Sequence, residues 1–192
     1  MSDWKLRLTR DLEPVLMEED PRPKISAYHN MPFAIFRYSP EAEFAVRDEV
    51  RLLRTRLEQA GKRVTVISLA ECMATALERE GLSVERIERA EKSTGTHKMA
   101  DTIHKILSSR QPLDELVAEN MPEEADPLRD VVFITRAGSL FPFYRTSSLL
   151  EQLTGKVTVP AVLFYPGELD GAAGLKFMGV LDAEHNYRPK IY

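Results

Sequence analysis

Four histidines, one cysteine and several knots of carboxylates are the side chains here that could ligate a metal or attack a bond. His97 and His104 stand two helical turns apart, so one helix face could carry both. A metal pair on a helix is usually spaced i, i+4, as in His-Glu-x-x-His, so two solvated histidines fit this spacing better. The denser cluster is Glu168, Asp170, Asp182, Glu184 and His185. If the flanking strands pair antiparallel, Asp170 and Asp182 fall at opposite ends, roughly 20 Å apart at about 3.4 Å per residue. They would not meet at one metal, and solvated loop carboxylates are expected. Cys72 follows Glu71 on or beside the buried face of a helix, whereas a nucleophilic thiol needs an electropositive, part-exposed setting. A lone cysteine also excludes an internal disulfide and a thiolate-rich zinc site. No metal, cofactor or catalytic residue is expected.

Phosphate chemistry fares no better. A phosphate-cradling loop needs Gly-x-x-x-x-Gly-Lys-Ser/Thr ahead of a helix. Gly61-Lys62 precedes a strand, Gly171-Ala172-Ala173-Gly174 leads into another, and Gly-x-Gly-x-x-Gly does not occur. ATP hydrolysis is not expected, although a nucleoside-triphosphatase-like sheet that has lost phosphate chemistry stays open. Ser139 follows Gly138, but Phe141 stands where a nucleophile elbow needs glycine. That loop is nonetheless the most unusual stretch: Arg136, Ser139, Tyr144, Arg145, Thr146, Ser147 and Ser148 gather around a strand end and a helix start. Such a place can bind an anion; capping by Thr146 or Ser147, with Arg136 and Arg145 paired to acids, is the better account. Phe141, Phe143 and Tyr144 beside the two arginines have the make-up of interface anchors, and equally that of core. Arg47, Arg51, Arg54, Arg56 and Lys62-Arg63 interleave with Glu41, Glu43, Asp48, Glu49 and Glu58, which reads as ion pairing on a solvated face.

The elements that position these residues form one α/β domain over 1–192. The length of 192 residues with 43% hydrophobic side chains suffices for a core, and 26 basic against 30 acidic residues give a net charge of -4, with no global field for nucleic acid. No apolar run is long enough to span a membrane and no secretory h-region opens the chain, so a cytoplasmic protein is expected, with no membrane partner and no direct nucleic-acid binding. Trp4, Leu8 and Leu12 mark an N-terminal helix within 1–20, bent or shortened by Pro14, and 21–31 reads as a proline-rich linker. A strand over 32–38 is followed by Ser39 as a cap and Pro40 at the first helical position. The helix beyond carries Val46, Val50, Leu53 and Leu57 inward and ends at Gly61. A strand at 63–68 completes a βαβ unit and implies a parallel pair. A helix from Leu69 runs to Gly81, and 82–126 is a helical insertion. Strands at 130–135, 157–165 and 175–181 follow, with Pro166-Gly167 as a turn and a helix burying Leu149, Leu150 and Leu153 between the first two. The fold class is therefore α/β: a mainly parallel sheet of about five strands flanked by helices, Rossmann-like or a degenerate P-loop-NTPase-like form.

Two stretches carry a family resemblance. One is 33–41, with the arginine-rich helix after it and 66–69. The other, more specific, is 131–145, continuing through 148–153 and 159–171 to 186–189. Together they resemble BrxB, a small component of bacterial BREX bacteriophage-exclusion systems. The resemblance implies membership of a machinery that marks host DNA by adenine methylation and blocks phage replication. It implies other BREX components as partners, foremost PglZ, an alkaline-phosphatase-like protein, and brings no catalytic motif. A non-enzymatic adaptor that binds PglZ is the leading expectation, with Arg136, Ser139, Phe141, Phe143, Tyr144 and Arg145 as candidate contacts. A nucleotide- or nucleic-acid-binding regulator on a degenerate NTPase-like sheet is the alternative.

Overall fold

The computed structural model describes residues 3–26, 31–171, 174–183 and 189–192. The N-terminal segment is α1 (Asp3–Arg7), a π turn at Leu8–Leu12 and α2 (Glu13–Leu16), run together, with Pro14 inside the first turn of α2. The expected linker contains a helical turn, α3 (Arg22–Ile25), whose Ile25 is fully buried, so it is part of the packed structure. Asp20 receives Nε and Nη2 of Arg22 at 2.9 and 2.8 Å and fixes its start.

β1 (Phe33–Tyr38) leads through a 3-10 turn, Pro40–Ala42, into α4 (Glu43–Gln59). Pro40 holds the expected first position, but the Ser39 hydroxyl engages the Glu41 carboxylate and caps no main-chain amide. β2 (Arg63–Ser68) and α5 (Leu69–Arg79) follow, with Ser68 Oγ accepting from the Glu71 amide. The segment read as an insertion holds α6 (Val84–Thr94), α7 (Thr96–Lys105) with a π turn at Ile106–Arg110, and α8 (Leu113–Glu119). It forms much of the crossover to β3 (Asp130–Thr135) and contributes Met99, Ile103, Leu113, Leu116 and Val117 to the core, whereas Val84 is exposed. A 3-10 turn, Ala137–Leu140, and α9 (Thr146–Gln152) lead to β4 (Ala161–Asp170), β5 (Gly174–Phe177) and the short β6 (Lys190–Ile191).

The strand order is β2-β3-β4-β1-β6, all parallel, with β5 antiparallel on β4. The β1–α4–β2 unit is present, but its strands do not pair: β4 and β3 lie between them. In the common doubly wound orders the first strand neighbours the second, so the sheet departs from the Rossmann arrangement in this respect. β4 begins later than expected and runs through Pro166-Gly167 instead of turning there. A Cβ on Gly167 would stand 2.3 Å from the Lys176 carbonyl oxygen and 2.4 Å from the Tyr165 ring. Glycine alone lets the strand exchange its parallel partner β1 for the antiparallel β5 there.

The strands are apolar on both faces, as parallel strands covered on both sides must be. Ala34, Phe36, Val131, Phe133, Val162 and Phe164 meet Leu8, Leu12 and Leu16 and the Val46, Val50, Leu53, Leu57 stripe of α4 on one face. Ile35, Ile67, Val132, Ile134 and Leu163 face α5 to α9 on the other.

The N-terminal segment is also tied to α4 by charge. Arg56 grips Glu13 through Nε and Nη2 at 2.6 and 2.8 Å and reaches Glu49 Oε1 at 3.2 Å, while Lys5 Nζ approaches Glu49 Oε2 at 2.6 Å. Burial by itself would raise the Glu49 pKa, but hydrogen bonds and charge from Lys5 and Arg56 outweigh it and hold the carboxyl below its ordinary value. Such a group stabilises the fold above the ordinary carboxylate pKa, and the contribution is lost as pH falls through the lowered folded value. Glu49→Gln is expected to cost about 1–3 kcal/mol at pH 7. In urea titrations the gap to wild type should shrink below about pH 4; an equal gap at pH 7 and pH 3 would show that the Glu49 charge contributes nothing.

Candidate functional site

The arginine-rich face resolves first, because most of its cations have assigned work. Arg47 Nε donates to Glu43 Oε1 at 2.8 Å, Arg51 pairs with Asp48 and Arg54 with Glu58. Arg63 makes a two-point contact with Asp130 at the start of β2 and β3. Lys62 is buried, and its Nζ donates to the carbonyls of Glu18, Glu19 and Leu128; desolvation pulls its pKa down. It pins the acidic turn after α2 to the base of the sheet. The reading of local ion pairing on a solvated face holds for Arg47, Arg51 and Arg54, whereas Arg56 and Arg63 pair with acids of other elements and Lys62 is buried against carbonyls.

The six candidate contacts after β3 do not share one surface. Tyr144 is buried in the core under α5 to α9, and Phe141 and Phe143, half-buried, pack against that core. Phe141 meets Phe177 edge-on with centroids 6.2 Å apart. The Phe143 carbonyl accepts from Nδ1–H of His104 at 2.8 Å, and Tyr144 donates from its hydroxyl to Gln152 Oε1 at 2.6 Å. Ser139 spends its hydroxyl on the Arg136 carbonyl at 2.8 Å. Arg145 is exposed and takes the N-cap position of α9, where no side chain caps, so neither Thr146 nor Ser147 has the expected capping role. Arg136 turns to the opposite face. Its φ of 60° is left-handed, a conformation costing a non-glycine residue on the order of 1 kcal/mol. Its Nε is shielded from solvent with no hydrogen-bond partner, and among the described residues no acid forms an ion pair with it.

Arg136 lies on the wall of a crevice of about 250 Å³ at the carboxyl ends of the strands, between α4 and the sheet. Ligands of open α/β sheets bind at this end. α4 packs with Val64 but leaves Val66 of the edge strand 41% exposed. Val46, Val50, Val66 and Phe164 form an apolar floor, and Arg47, Arg51, Arg54 and Arg136 line the rim. A phosphate loop would join β1 to α4, but that connection holds neither glycine nor lysine and brings Glu41 and Glu43 instead. Glu43 accepts from the Tyr38 phenol, which burial keeps protonated far above its usual range. On the outer side of α4, Phe44 is 75% and Leu52 55% exposed, with the Arg47 guanidinium 5.2 Å from the Phe44 ring centre. Sequence reasoning passed over Phe44, Leu52 and Val66. The legible signal was two apolar residues, two turns apart, out of phase with the buried stripe of α4.

Residues 65–191 match the family described as BREX protein BrxB. A relative from Bacillus cereus (strain H3081.97), also described as BREX protein BrxB, is 30% identical over 158 residues, covering 81% of this chain and 80% of its own length. The chain belongs to the BrxB family. It is thereby a component of a BREX phage-defence system, and other BREX components are its partners. No solved structure matches it.

The remaining residues singled out in the sequence are placed as follows. Among the described residues no group of three His, Cys, Asp or Glu could hold a metal, and no helix is long and apolar enough to cross a membrane. His97 and His104 are both exposed on α7. Asp170 pairs with Lys176 at 3.1 Å beside the antiparallel β4–β5 pairing. His29, Glu184, His185 and the 186–188 part of the family motif lie outside the described residues. Cys72 is buried and its thiol is pushed up to about 11 by burial, so it stays protonated at neutral pH.

Tyr144 separates a packing role from a contact role. Tyr144→Phe is expected to cost about 1 kcal/mol for the lost hydrogen bond, and Tyr144→Ala about 3–5 kcal/mol for the cavity. Both are read by denaturant unfolding, and an unchanged midpoint for the alanine variant would show that the ring is not core.

Proposed function

We propose that this protein is a non-enzymatic adaptor of its BREX system and that its partner is PglZ. The observation that carries the reading is the outer face of α4. Two large apolar side chains, Phe44 and Leu52, stand in solvent beside Arg47 and Arg51. Exposed aromatic and aliphatic groups next to arginine are the composition of a protein-binding patch. A helix on which Val46, Val50, Leu53 and Leu57 already serve the core gains nothing in folding from a second apolar row in water. The exposed row makes sense as a surface completed by another protein.

BREX membership supplies the partner class, and the family resemblance points to PglZ within it. Replacing Phe44 and Leu52 together by aspartate is expected to weaken PglZ capture by about tenfold or more. Thermal unfolding should shift by no more than a few degrees, because both sites are surface positions. Full capture by the double variant would place the docking face elsewhere, and failure of the wild-type chain to capture purified PglZ would overturn the adaptor reading.

A further inference from the structure

The strand-end crevice lies on the opposite flank of α4 from Phe44 and Leu52, with the Arg47 and Arg51 row between them. We propose that it receives an apolar side chain from an acidic segment of the partner protein, with the carboxylates flanking that side chain bound by Arg136, Arg51 and Arg54. The inference rests on the adaptor reading and specifies the chemistry of what docks.

Size, charge and lining each favour this occupant. Small-molecule sites run to roughly 300–1,000 Å³, so a crevice of about 250 Å³ suits a single large side chain better than a whole nucleotide. The floor of Val46, Val50, Val66 and Phe164 asks for an apolar insert. The rim offers an anion guanidinium groups: Arg47, Arg51 and Arg54 line it already paired with Glu43, Asp48 and Glu58, and Arg136 lines it with no ion pair among the described residues. Two glutamates share the lining, but Glu43 is engaged by Tyr38 and Arg47, and Glu71 is solvent-exposed. The pairs Arg51–Asp48 and Arg54–Glu58 are exposed surface pairs, cheap to exchange for a partner's carboxylate. Among the described residues no acid forms an ion pair with Arg136, and its solvent-shielded Nε has no hydrogen-bond partner. The glutamates at the start of α4 repel a phosphate from the place where a nucleotide would rest it.

The test uses the full chain with methyl-labelled valine, observed by NMR. The probes are an acetylated Glu-Glu-Phe-Glu-Glu peptide, its Lys-flanked counterpart, ATP and inorganic phosphate. The acidic peptide is expected to shift the Val46, Val50 and Val66 methyls, with an affinity that falls as salt rises. Arg136→Gln and Arg54→Glu should each weaken it by about tenfold. Arg54 sits on an exposed helix face, so its variant keeps the test open even if the Arg136 variant fails to fold. Absent shifts, equal response to both peptides, full binding by Arg54→Glu, or ATP or phosphate acting where the peptide does not would each overturn the proposal. A chain that captures PglZ yet ignores the peptide loses the crevice assignment and keeps the adaptor reading. A chain that binds the peptide at these methyls without capturing PglZ does the reverse.

Discussion

A parallel sheet cannot leave either face to water, because each of its strands carries apolar side chains on both. Here the covering material is unequal. Five helices, α5 to α9, serve one face. Among the described residues the other has α4, the N-terminal segment and the short α3, which together shield Phe36, Phe133 and Phe164. With so little material on that side, holding the N-terminal helix down becomes a structural necessity. The Glu13–Arg56–Glu49–Lys5 network and the buried Lys62 do this, one binding helix to helix and the other binding the following turn to the base of the sheet. Half-buried charges are tolerable there because each one meets its opposite or a carbonyl.

Unequal cover also makes the site. The cover on this face does not reach Val66 on the edge strand, so Val66 and the strand ends stay open and the arginines of α4 line the gap. The crevice thus arises from the β1–α4–β2 crossover that builds the sheet, and its position at the carboxyl ends follows from the parallel direction of the strands. The connection after β1 differs from a phosphate-binding loop in carrying acidic residues and neither glycine nor lysine. That leaves an apolar floor under a cationic rim, suited to a protein surface.

Much of this was legible in the sequence. The period of α4 gave its buried stripe correctly, because Val46, Val50, Leu53 and Leu57 repeat at helical spacing. The apolar runs gave β1 to β3 to within a residue. Strand order was not legible: a crossover fixes direction, but nothing local says that β3 and β4 intervene between β1 and β2. Pro166-Gly167 misled for a related reason. The pair has turn chemistry, but at this position its glycine serves a close approach between strands, which depends on the distant Lys176 carbonyl. The aromatic loop after β3 showed the limit for sites. Composition cannot separate an interface anchor from core, and Tyr144 proved to be core while Arg136 alone turned to the crevice.

The central claim is that the partner docks on α4 and the strand ends it leaves open. Hydrogen–deuterium exchange of the chain, alone and bound to PglZ, tests it most directly. The account predicts slowed exchange in the first half of α4, at 66–71 and around Arg136, with α6 to α8 unchanged. Slowing confined to α6 to α8, with α4 exchanging as in the free chain, would contradict it.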